Sequence, residues 1–235
     1  MACRPDAFLN EGAPVRIVGD ASPWGFGAYL VVDGTIAEFY TAEITEWEAM
    51  FLQAPIGSAE GQQVWEALNL VVALRLWKQR WATERVRLEV RADNVAALTL
   101  LANLRGKGFA LNLLAREIAI DLGDGSFRPD VLSHTPGVAS SVADALSRRY
   151  VPERRHQHFV VPHILLDASE VAPPPRDEKF FSTYFDAAEH WGIKGASKFD
   201  VAAFTCPALP ATVDSLEPSH AQANVGSEEG TAQWQ

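Results

Sequence analysis

The sequence has almost no cysteine, and what it has is badly placed for bonding. Cys3 and Cys206 lie near opposite ends of a 235-residue chain. That excludes a disulfide framework and a cysteine zinc site, and it suits a reducing compartment. No apolar run reaches the ~18 residues of a membrane-crossing helix. The opening MACRPDAFLN lacks the basic-then-apolar order of a secretory signal, and there is no internal repeat. Positive charge is scarce: 20 Lys and Arg against 30 Asp and Glu give a net charge of −10, which argues against a generic nucleic-acid binder. Residues 151–235 carry more than their share of that acidity. Carboxylates that await a metal also make a chain look more acidic than its working form, so charge by itself settles nothing.

What is present is a core. Hydrophobic residues make up 48% of the chain and aromatics 10%, enough for one ordinary domain with additional material. VRIVGD and GFGAYLVVDG read as two strands, with Val32-Asp33-Gly34 as a hairpin turn, and TIAEFYTAEI from Thr35 as a third. Pro55, Gly57 and Gly61 break the stretch that follows. Gln62 to Trp81 is the strongest helix, apolar nearly all round and therefore central and buried. Val86 to Asp93 is a strand, NVAALTLLANL and FALNLLAREIAIDLG are helices, SFRPDVLSHTPG is a short strand and loop, and SSVADALSRRY is a last helix. The order β-β-β-α-β-α-α-β-α predicts an α/β fold: a five-stranded mixed sheet, antiparallel first and parallel after, with helices on both faces. The expected organisation is a flexible 1–13, a folded domain over 14–150, and a mostly disordered 151–235 with short docking segments such as the aromatic EKFFSTYF.

Four carboxylates stand in unusual places. Asp20 ends the first strand, Glu66 lies inside the apolar helix, Asp93 ends the fourth strand, and Asp144 sits in the last helix. Each has a plain explanation. Asp93 suits a turn or an N-cap, Asp144 suits a helix's first turn, and Glu66 has Arg75 or Arg91 as a salt-bridge partner. Together they read differently. Carboxylates that converge without a cation repel one another, and hard oxygen ligands select Mg²⁺ or Mn²⁺. Two such ions roughly 4 Å apart activate water and stabilise a leaving oxygen in phosphodiester hydrolysis.

The segments DASPWGFGAYL, QQVWEALNLVVALRLW, RADNVAAL and SHTPGVASSVADALSRR, taken in order, resemble type 1 ribonuclease H of the kind attached to retroelement reverse transcriptases. The resemblance implies a ribonuclease H-like fold over 14–150. It implies an endonuclease that cuts the RNA strand of RNA–DNA hybrids with two Mg²⁺ or Mn²⁺ ions. Asp20, Glu66, Asp93 and Asp144 would hold the metal, His134 would assist catalysis, and Ser22, Trp24 and Asn94 would touch substrate. An RNA–DNA hybrid is then the implied partner, a polymerase domain on another chain is allowed, and the location is intracellular, cytoplasmic or nuclear.

The sequence departs from the family in several places. Ser140 and Ser141 stand where an Asn is frequent. The gap from Asp20 to Glu66 is long and contains Glu46 and Glu48, which compete for the second acid; Glu66 is preferred for its long helix. Arg105 to Gly108 leaves no room for a basic helix, and little chain precedes the first strand, so a detached or truncated retroelement piece is expected. Arg148 and Arg149 suit the last helix's dipole or a phosphate. Two other readings stand beside the enzyme. One is a catalytically decayed module of the same fold that binds nucleic acid or a protein. The other takes DASPWGFG as an actin-like phosphate loop, which the chain's length argues down.

Overall fold

The computed structural model describes residues 12–82, 86–125, 129, 131–134, 140–154 and 157–185. The chain divides into two compact units, Met1–Phe199 and Asp200–Gln235. The second unit lies wholly outside the described residues, as do the expected flexible N-terminus through residue 11, both cysteines, and residues 135–139 of the loop after His134.

Among the described residues, six strands form one sheet in the order β5-β4-β1-β2-β3-β6. β1 (Ala13–Ala21), β2 (Gly25–Val32) and β3 (Thr35–Glu43) make an antiparallel meander. The β2–β3 turn uses Asp33 and Gly34 at φ of 50° and 81°, the left-handed pair that a two-residue hairpin needs. β4 (Val86–Ala92) and β5 (Val131–His134) then add in parallel beside β1. The antiparallel-then-parallel α/β sheet is therefore the one expected. The sixth strand is not. β6 (Ser169–Glu170) pairs in parallel with Glu38 and Phe39 of β3, and its two polar residues carry no strand pattern of their own.

Helix α2 (Gln62–Leu76) crosses one face, buried without interruption from Trp65 to Leu74, as its all-round apolar pattern demands. The expected helix to Trp81 is broken at Trp77, and α3 (Lys78–Ala82) follows as a separate turn. The Trp77 indole turns inward, donating to Glu38 at 2.8 Å and packing against Tyr40. Before α2, the loose stretch contains α1 (Glu46–Phe51), capped by a reciprocal Thr45–Glu48 box. α4 (Val95–Asn103) and α5 (Gly108–Gly125) complete that layer, and the short α6 (Ser141–Ser147) packs against β1, β2 and β3.

Residues 157–185 run along this body as a strap. After β6, Arg176 donates to both oxygens of the fully buried Glu48 and to the Glu43 carbonyl, and it lies 5.2 Å from the Phe26 ring. Phe181, fully buried, packs at tilted and edge-on angles among Trp47, Phe51 and Phe180. Thr183 then donates from N–H and hydroxyl to the buried Glu117 of α5, which also accepts from Arg75 of α2. The aromatic EKFFSTYF stretch thus joins the main hydrophobic core.

Candidate metal centre

β1 and β4 are parallel neighbours with Val18 opposite Arg91. Continuing that register puts Asp20, near the end of β1, and Asp93, just past β4, at the same edge of the sheet. The carboxyl end of parallel strands is where α/β folds gather ligands. Glu66 reaches this edge from the first half of α2. Asp20, Glu66 and Asp93 each offer one carboxylate oxygen, all within 4.8 Å of one another. Glu46 and Glu48 do not take part: Glu48 is spent on the α1 cap and Arg176. Of the three glutamates that compete for the second acid, Glu66 is the one grouped with Asp20 and Asp93.

Burial makes the convergence costly. Asp20 is 6% exposed and Glu66 2%. Loss of hydration pushes the Asp20 carboxyl up to about 6, with the charges of Asp93 and Asp144 adding to the rise; the Ser147 hydroxyl and the Arg148 cation pull the other way. Glu66 is driven well above the ordinary carboxylate range, by burial first and then by Asp20 and Asp93. Its Oε1 accepts from the Ala21 N–H at 3.2 Å and the Gln62 amide at 3.1 Å. Its Oε2 is buried with no hydrogen-bond partner. A buried carboxylate with one oxygen unpartnered, grouped with two further acids, fits a hard divalent cation.

Comparison with family models and with curated proteins finds no match. Among solved structures the chain is similar to two ribonucleases H1. One was isolated from compost by a metagenomic approach: 18% identity, TM-score 0.43, covering 60% of this chain and 96% of that one. The other comes from the halophilic archaeon Halobacterium salinarum NRC-1: 18% identity, TM-score 0.39, covering 60% of this chain and 98% of that one. Likeness at this level bears on the fold and decides nothing about chemistry.

The remaining expected residues lie outside the three-acid group. Asp144 is not in the three-acid group. Its side chain is 42% exposed and accepts from Arg148 Nε at 2.6 Å, one turn on in sequence, although its charge is felt at Asp20. His134 ends β5 beside Ala92 and is exposed. Asn94 caps α4, its Oδ1 accepting from Ala96 and Ala97 N–H. Trp24 is half-buried in the β1–β2 turn, with Gly57 against its indole. Ser22 is not free to contact a substrate: it is 4% exposed, and its hydroxyl lies within bonding distance of the Gly25 and Ser147 carbonyls and the Trp24 and Gly25 N–H groups.

Gly25 and Gly27 acquire a definite role. A Cβ on Gly27 would stand 2.6 Å from Leu146 Cβ, and one on Gly25 would stand 2.9 Å from the Tyr150 ring. The glycines let α6 and the turn after it lie directly on the strand backbone, so the bulk withheld beside Asp20 is space for protein. Sequence reasoning missed Ser147 and Gln62. The signals were there, Gln62 one helical turn before Glu66 and Ser147 three residues after Asp144, but nothing local says which acid a buried Ser will meet.

Proposed function

We propose that this protein is a metal-dependent endonuclease that cleaves the RNA strand of RNA–DNA hybrids, of the retroelement reverse transcriptase-associated kind that its motif order resembles. One observation carries the reading: Asp20, Glu66 and Asp93, from three separate elements, converge their oxygens within 4.8 Å, with Glu66 Oε2 left unpartnered. Burying two acids, Asp20 and Glu66, against a half-buried third is costly in a protein with no use for them.

In this reading Asp20, Glu66 and Asp93 hold Mg²⁺ or Mn²⁺, and Asp144 completes a two-ion set from the rim. The chemistry supplied by divalent ions at such a set is neutralisation of the acids and activation of a water toward a phosphodiester. The chain's own residues do the rest. His134, exposed at the end of β5, is the residue assigned to assist catalysis. The Asn94 amide nitrogen, not used by the α4 cap, is free to donate toward a sugar or phosphate oxygen. Trp24 offers a half-exposed ring face. Arg148 and Arg149 are the nearby cations for backbone phosphates, and such contacts make hybrid affinity fall as salt rises. Specificity for RNA comes from 2′-hydroxyls and duplex shape.

The test is cleavage of end-labelled hybrid, duplex DNA and duplex RNA with Mg²⁺ or Mn²⁺. Cutting of the hybrid's RNA strand alone, lost in Asp20→Asn, is the expected result. Hybrid that is bound but never cut by the wild type would replace the enzyme with the non-catalytic module.

A further inference from the structure

Each of the two buried acids has one oxygen engaged by the protein and one left over. Ser147 is fully buried, and its hydroxyl donates to Asp20 Oδ2 at 2.6 Å. No other described residue donates to that carboxylate. On the opposite side, Gln62 Nε2 bridges the Ala21 carbonyl and Glu66 Oε1, which also receives the Ala21 N–H. Oδ1 of Asp20 and Oε2 of Glu66 remain. We infer that Ser147 and Gln62 are positioning residues, which fix the two acids so that the free oxygen of each is presented to the metal. This rests on the reading of the trio as a metal centre.

The geometry distinguishes this from ordinary packing. Ser147's hydroxyl has a local alternative, the Asp144 carbonyl at 3.0 Å within its own helix, yet the shorter contact reaches a residue 127 positions away. The bond is reciprocated: Ser22, two residues beyond Asp20, donates to the Ser147 carbonyl at 2.8 Å. The strand's turn therefore holds the helix by its backbone, and the helix holds the strand's acid by its side chain. Gln62 ties Glu66 to the same strand end through Ala21. A carboxylate held by one oxygen has less freedom to turn its other oxygen away, and ligand-orienting contacts of this kind typically contribute 10–100-fold in metal affinity.

The experiment measures Mn²⁺ affinity of the full chain by calorimetry and by electron paramagnetic resonance, for wild type, Ser147→Ala and Gln62→Ala, each first checked by circular dichroism. Weakening of Mn²⁺ binding by about tenfold or more in each folded variant is expected. Binding within twofold of wild type in a folded variant overturns the positioning role, whatever happens to cleavage. Wild type that binds no Mn²⁺ overturns the metal-centre reading itself, a separate outcome. Gln62 is half-buried at the start of α2, so its variant stays informative should loss of the buried Ser147 hydroxyl unfold the chain.

Discussion

Without metal, the crowded centre should work against the fold, so removing an acid from it is expected to stabilise the protein. Asp20 is an acid whose carboxyl rises from 3.8 to about 6 on folding. The native state therefore holds its proton more tightly than the unfolded chain, and stability must fall as pH rises between those values. Below about pH 4 both states are protonated and the term vanishes. Above about pH 6 it is fully present. A rise of roughly two units corresponds to about 3 kcal/mol. Asp20→Asn removes it while keeping an oxygen to accept from Ser147. Urea denaturation in EDTA should show the variant more stable than wild type by about 2–3 kcal/mol at pH 8 and level with it below pH 4. The slope against urea should not change, because the buried surface is the same. A variant equal to or weaker than wild type at pH 8 would mean that the acids are not crowded as described.

Three other outcomes follow from the same contacts. Arg176→Met strands the buried Glu48 carboxylate and should cost about 3–5 kcal/mol in urea denaturation, most of it recovered in Glu48→Gln/Arg176→Met, where no charge is left. Gly27→Ala drives a methyl into Leu146, costing about 1–3 kcal/mol and weakening Mn²⁺ binding as α6 lifts Ser147 from Asp20; calorimetry reads both effects. Mn²⁺ at a hundred times its dissociation constant should add about 2.7 kcal/mol to thermal or urea stability, reversed by EDTA.

Local chemistry made much of this legible. The Asp33-Gly34 hairpin, the buried α2 and the strand-end acids each follow from short-range pattern, because turn conformation, helical period and the cost of a lone carboxylate are local properties. Three things were not local. The β6 strand is two polar residues whose only cause is the β3 edge waiting for them. The glycines beside Asp20 face a helix more than a hundred residues later, so whether protein or ligand fills the space was undecidable from sequence. The strap's aromatic cluster was visible as a docking element, but its depth depends on Glu48 and Glu117, two unremarkable acids until Arg176 and Thr183 meet them.

That strap also sets a clock on synthesis. Arg176 lies 128 positions after the carboxylate it closes over, a delay on the order of 10 s at ordinary elongation rates. During that interval Phe51, 1% exposed in the finished fold, and its neighbour Trp47 lack the ring of Phe181 that covers them. The newborn domain thus shows a bare aromatic face even after its first five strands have been made. Chaperone occupancy or aggregation of ribosome-bound chains should therefore peak before residue 181 emerges and fall once it has.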